Sequence, residues 1–136
     1  MRVRLTTTLL VDTHALQWWS AEPDRLSAAA LDALAEADEL AVAAVTWYEL
    51  AWLARRGRIS VSLPIAAWLA DLAMSVRTVA LSPAIAATAA ALPPSFPSDP
   101  ADRLIYATAI ERGWHLVTKD SQLRRHTASP AVRTIW

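Results

Sequence analysis

Short apolar runs alternate along this chain with longer segments in which leucine and alanine recur at helical spacing. The short runs fall at about Leu9 to Val11, Leu40 to Val45, Arg77 to Leu81, His115 to Thr118 and Val132 to Trp136, and read as strands. Helical segments separate them. "LSAAALDALAEA" (26–37) repeats leucine on one face, and "TWYELAWLARRG" (46–57) closes on Gly57, a residue suited to stopping a helix. "PIAAWLADLAM" and "PAIAATAAAL" each open on Pro, which a first helical turn tolerates, and "DPADRLIYATAIERG" runs to Gly113. The stretch "LPPSFPSDP" (92–100) holds four prolines and predicts a rigid loop ahead of a helix, not a linker between domains. Such alternation is how βαβ units build a parallel sheet. The expectation is therefore an α/β fold, with a mostly parallel sheet of about five strands flanked by helices.

At 136 residues the chain is expected to be a single domain over 1–136, able to bury roughly two-thirds of its unfolded surface without a metal or disulfide staple. The lack of cysteine excludes disulfides, thiolate zinc sites and cysteine nucleophiles, and fits a reducing compartment, the cytoplasm. In the opening "MRVRLTTTLLVD", Asp12 comes too early for a signal sequence or a membrane span of about 20 residues, so neither is expected. Lys plus Arg (13) equals Asp plus Glu (13), so no overall basic field attracts nucleic acid. A polyanion would have to be held by a local patch or a metal. Arg55, Arg56 and Arg58 form one candidate patch, and Lys119, Arg124, Arg125 and His126 another; solvated helix ends account for both equally well. With only Gly57 and Gly113, the chain has neither a dinucleotide-binding G-x-G-x-x-G nor a P-loop, and no G-x-S-x-G elbow is present. His14, His115 and His126 lack metal-ligand spacing; His14 falls at the mouth of the site that Asp12 opens. Trp18 and Trp19, adjacent in sequence, cannot both face inward from one helix.

The run "LLVDTHALQWW" ends its apolar part on Asp12. An ionised carboxylate beside a core is costly unless a positive or hydrogen-bonding group meets it. Four acids share that placement: Asp12 ends the first strand, Glu49 lies in the first turn after the second, Asp102 opens the helix after the proline loop, and Asp120 lies just beyond "HLVT". In a parallel sheet the carboxyl ends of the strands share one edge, where ligands bind, so the four are predicted to converge. Each also has a local role open to it. Thr46-Trp47-Tyr48-Glu49 matches a capping box with Thr46 as N-cap, and Asp99-Pro100-Ala101-Asp102 reads as N-cap, first-turn Pro and an acid at the third position. Asp12 and Asp120 can cap the segments that follow them, and Asp99 is assigned to capping alone. As a converging set, however, carboxylates about 4 Å apart repel by roughly 4 kcal/mol at an effective dielectric near 20, which calls for a divalent cation. Oxygen ligands without cysteine or paired histidine select Mg²⁺ or Mn²⁺ over zinc, and such a site suits phosphoryl chemistry.

In these segments the chain resembles the PIN-domain ribonucleases, and among them the VapC-type toxins of bacterial toxin–antitoxin pairs. The resemblance rests on "LLVDTHALQWW", "VTWYELAWL", "GRISVSLP", "VALSPAIAATAAALP", "DPADRLIYATAI", "LVTKD" and "VRTIW", which together span nearly the whole chain. It implies a PIN-like three-layer fold and an acidic quartet of Asp12, Glu49, Asp102 and Asp120, with Asp12 and Asp102 as metal ligands and Thr118 in a small-hydroxyl position. It further implies Mg²⁺-dependent endoribonuclease activity leaving a 5′ phosphate and a 3′ hydroxyl, a homodimer, and a VapB-like antitoxin whose C-terminal segment lays an arginine over the acids. Glu49 and Asp120 would orient water or act as general base. Two positions depart from the family pattern: Leu53 stands where many relatives carry lysine, and "SFPSDP" lacks a histidine before the D-P pair. A non-catalytic RNA- or protein-binding module, with the acids only as caps, is one alternative; a DNA-cutting nuclease is another. Divalent-ion titration separates the first from the ribonuclease, and paired RNA and DNA substrates the second.

Overall fold

Among the described residues of the computed structural model, 6–126 and 132–136, five strands form one parallel sheet. They are β1 (Thr8–Val11), β2 (Glu39–Ala43), β3 (Arg77–Val79), β4 (His115–Val117) and β5 (Thr134–Ile135), in the order β3-β2-β1-β4-β5. The helices are α1 (Thr13–Ala21), α2 (Ala28–Glu36), α3 (Val45–Arg55), α4 (Ile65–Ala73), α5 (Pro83–Ala91), α6 (Pro100–Arg112) and α7 (Ser121–Arg125), with a 3₁₀ turn at Pro23–Arg25. The expected α/β class and the parallel sheet are both found.

Side chains alternate across the sheet with a period of two, which divides the core between its faces. Leu10, Ala41 and Leu116 face one way, into a cluster with Ile85 and Ala89 of α5, Ile105 and Tyr106 of α6, and Leu123 of α7. Leu9, Val11, Leu40, Val42 and Val117 face the other way, against Leu16 and Trp18 of α1, Leu34 of α2, Leu50 of α3 and Leu72 of α4. With both faces covered, the strands read as continuous apolar runs. Trp18 is buried against Trp136, with ring centroids 5.9 Å apart, while Trp19 is only partly buried, as one helix face requires.

Strand order reverses between β1 and β4, where the chain, having built β2 and β3 on one side of β1, crosses to the other. The crevice at such a switch point opens at the carboxyl ends of the two strands. Asp12 follows β1 there, and Thr118 to Asp120 follow β4.

Several local features differ from expectation: β3 ends at Val79 and not at Leu81, and β5 covers only Thr134–Ile135 of the expected Val132 to Trp136. The second strand stops at Ala43, not Val45, because the backbone turns helical at Ala44 (φ −54°, ψ −32°) and α3 starts at Val45. The short α7 lies outside the helices expected from the periodicity; five residues carry too little of it, and its start is held by Asp120. α6 ends as predicted on Gly113, whose φ of 68° is the left-handed cap that glycine adopts without strain.

The proline loop is rigid for a reason beyond its prolines. Arg103 donates from Nε to Pro97 O (3.0 Å), from Nη1 to Ala89 O and Leu92 O (both 3.1 Å), and from Nη2 to Pro93 O (3.2 Å) and Phe96 O (3.4 Å). All five guanidinium N–H groups thus meet backbone carbonyls. The end of α5 and the loop are thereby tied to the first turn of α6, next to Asp102.

Candidate active site

Asp12 is buried where β1 meets α1. Its Oδ1 accepts from the Thr13 N–H (2.7 Å) and its Oδ2 from the Thr118 hydroxyl (2.6 Å). It is therefore an N-cap of α1, as its local reading allowed, and also the floor of a cleft. Burial raises its pKa most; the Thr118 and Thr13 bonds and nearby His14 pull it down, and Asp120 raises it again.

Glu49 projects from α3 across to α1. The capping-box reading fails here. The N-cap of α3 is Ala44, so Thr46 is already inside the helix and Glu49 lies beyond its first turn. Thr46 instead pairs its buried hydroxyl with that of Thr13 at 3.1 Å, and the Thr13 hydroxyl donates to Glu49 Oε1. Burial raises the Glu49 pKa, the Thr13 bond opposes this, and the charges of Asp12 and Asp99 add to the rise.

Asp102 is half-buried in the first turn of α6, under an Asp99 N-cap that accepts the Asp102 N–H at 3.1 Å. Its pKa is pushed up to about 7, first by burial and then by the surrounding charges of Asp99, Asp12, Asp120 and Glu49. Asp120 caps α7, accepting from Gln122 N (2.8 Å) and Leu123 N (3.2 Å) on Oδ1, while its own N–H donates to the Thr118 hydroxyl at 3.1 Å. Thr118 thus links the Asp12 and Asp120 segments through one hydroxyl.

The structure brings Asp12, Glu49, Asp102 and Asp120 together along one cleft of about 390 Å³, with Thr13, His14, Trp18 and Lys119. Asp99 lines it as well. That residue does cap α6, but sequence reasoning stopped at the cap; its signal was the D-P-A-D spacing, which sets both acids at one helix end. Three acids serve as N-caps and still face a common space, so capping and convergence are not exclusive. His14 is exposed at the cleft, and Arg55, Arg124 and Arg125 sit in last helical turns.

Among the described residues no three of these side chains form a ready-made metal cage. The donor set still fits a hard cation. Mg²⁺ keeps several waters and takes only one or two carboxylates, leaving room for substrate oxygens. The mutual raising of pKa across the cleft is the repulsion that such an ion offsets.

Residues 9–128 match the PIN domain family. Over 130 residues the chain is 62% identical to "Ribonuclease VapC22" of Mycobacterium tuberculosis (strain ATCC 25618 / H37Rv), covering 96% of this chain and 99% of that one. Its fold is similar to that of a toxin–antitoxin complex from Klebsiella pneumoniae (TM-score 0.67, 23% identity, 91% of this chain and 94% of that chain). It is also similar to VapBC2 from Rickettsia felis bound to a promoter DNA fragment (TM-score 0.67, 14% identity, 94% and 97%). A third likeness is to VapBC-5 from Mycobacterium tuberculosis (TM-score 0.61, 18% identity, 94% and 97%).

Proposed function

The chain belongs to the PIN-domain family, and from that premise we propose that it is a VapC-type toxin, an endoribonuclease that hydrolyses RNA phosphodiester bonds and is restrained by a VapB-like antitoxin. The observation that carries this reading is the meeting of Asp12, Glu49, Asp102 and Asp120, from four separate segments, on one cleft at the sheet's switch point. Asp12 and Asp102 are the side chains that would hold a divalent ion, Mg²⁺ with Mn²⁺ as a substitute. When bound, such an ion polarises a phosphate oxygen and makes a nearby water more acidic.

The chain's own residues do the rest. Thr118 and the Thr13 amide fix both oxygens of Asp12, so its carboxylate keeps one orientation. The Thr13 hydroxyl holds Glu49 from the opposite wall. Both capping bonds of Asp120 fall on Oδ1, which leaves Oδ2 to accept from water. Glu49 and Asp120 therefore serve to orient the attacking water and take its proton, and the raised pKa of Glu49 makes its ionised form a stronger base than an ordinary carboxylate. In-line attack opposite the 3′ oxygen leaves a 5′ phosphate and a 3′ hydroxyl.

The anionic cleft also suits an antitoxin that presents an arginine to it, and the active species is a homodimer. Among the described residues no helix is long and apolar enough to cross a membrane. The direct test is Asp12→Asn. RNA cleavage should vanish while the thermal unfolding transition stays cooperative; undiminished cleavage by this variant, or full activity of the parent in excess chelator, removes the mechanism.

A further inference from the structure

The acidic cleft cannot attract its own substrate. It gathers five carboxylates around a single Lys119 and His14, and the chain's charge sums to zero. Affinity for a polyanion then has to come from cations placed locally beside the site.

His14 and Trp18 line the acidic cleft and also a second one of about 700 Å³, so the two are contiguous. Across Trp18 the charge changes sign. The second cleft carries Arg25 and Arg58 with one acid, Glu22, which pairs with Arg25 at 3.7 Å on the surface. Trp18, itself buried, has the Arg25 guanidinium 4.9 Å from its ring centroid on one side of this boundary and the Lys119 ammonium at 5.4 Å on the other. Each such contact orders a side chain that would otherwise roam. Arg25 and Lys119 are thus held on a fixed ring, which lowers the entropy cost of engaging a ligand. Leu53 and Ile59, both half-buried, give the wall an apolar part, the surface a nucleobase face requires.

We propose that this second cleft binds the RNA strand next to the scissile bond, with Arg58 and Arg25 each engaging a backbone phosphate and the Leu53–Ile59 wall receiving a base. The assignment rests on the ribonuclease reading of the neighbouring cleft. Leu53, a departure from the family pattern, thereby has a use as an apolar contact. Two arginines elsewhere on the surface serve as contrasts. Arg56 stacks on Trp52 at 5.0 Å, and Arg112 on Trp114 at 5.6 Å at the far end of α6 from Asp102.

The test uses the full chain carrying Asp12→Asn, so that no strand is cut, and a fluorescein-labelled oligouridylate followed by anisotropy across a salt series. Arg58→Gln and Arg25→Gln should each reduce the slope of log affinity against log salt by about 0.7, and the pair by about 1.4, as expected when ion pairs to single-strand phosphates are removed one at a time. Arg112→Gln should keep the full slope. Circular dichroism melts confirm that the exposed substitutions leave the fold intact. A double variant with unchanged slope and affinity overturns the proposal, and so does a double variant that loses binding only to a polyglutamate peptide, which reassigns the cleft to a protein ligand. The two readings fail separately. If the chain without Asp12→Asn cuts no RNA in Mg²⁺ while the arginine slopes behave as stated, the nuclease reading falls and the strand site stands; normal cutting with unchanged slopes removes the strand site alone.

Discussion

Asp102→Asn should make the metal-free protein more stable at alkaline pH, even as it removes activity. In the folded chain the Asp102 pKa is pushed up to about 7 from 3.8, by burial first and then by Asp99, Asp12, Asp120 and Glu49. A carboxyl whose folded pKa lies above its unfolded value favours the fold fully below the unfolded value, and that contribution is lost as pH rises through the folded one. The loss therefore falls between about pH 4 and pH 7. About three units at 1.36 kcal/mol each set a ceiling of ~4 kcal/mol; because the group is only half-buried, water screens it, and on the order of 1–2 kcal/mol is the usable figure. For a chain of this length each kcal/mol moves the melting temperature by roughly 3–5 °C. Melts in chelator at pH 5 and pH 8.5 are the assay. The parent should lose several degrees on going to pH 8.5. Asp102→Asn should raise the melting temperature by roughly 3–10 °C at pH 8.5 and by only about a third of that at pH 5, and saturating Mg²⁺ should narrow the gap. A variant that melts at or below the parent temperature at pH 8.5 in chelator would show that burial and the neighbouring acids do not together penalise the ionised Asp102, and the reasoning would be refuted.

Side-chain hydrogen bonds supply three more tests. Thr13→Val removes the hydroxyl that donates to Glu49, one of the influences holding its pKa down; the acid limb of the pH–rate profile for RNA cleavage should move to higher pH, and an unmoved limb would exclude Glu49 as the base. Thr118→Val leaves a buried Asp12 oxygen without its donor and should cost about 1–3 kcal/mol in urea unfolding at neutral pH, together with most of the cleavage rate. Arg103→Ala strips five carbonyls of their donor and should cost about 3 kcal/mol; Arg103→Lys, with three donors and no planar fork, should recover only part, and full recovery would mean that charge and not geometry holds the loop.

Much of this molecule is legible in the order of its residues. The five strand positions follow from β-branched apolar runs, and the helix at "DPADRLIYATAIERG" from a cap, a first-turn proline and a terminal glycine, because those signals act within a few residues of themselves. The four acids are legible as a set for a topological reason: Asp12 and Asp120 follow the carboxyl ends of β1 and β4, Glu49 lies early in the helix after β2, and Asp102 opens the helix that leads back into β4, so parallel pairing puts all four toward one edge. Where reasoning along the chain fails, two local structures match the same letters. "TWYE" satisfies a capping box whether or not the helix starts there, and the choice is made by Ala44 turning early and by Thr13, 33 residues away, pairing with Thr46.

Taken alone, then, the order of residues determined the class of fold, the edge at which acids would gather and the identity of four of them, since periodicity and caps are short-range properties of the backbone. Only the tertiary structure decided which oxygen meets which donor. Thr118 reaches Asp12 across 106 residues, Arg103 finds five carbonyls spread over the end of α5 and the proline loop, Asp99 joins the cleft while still capping, and a basic cleft opens behind Trp18. These partners are set by the packing of helices on the two faces of the sheet, and packing distances between remote segments are not written in the spacing of residues along the chain.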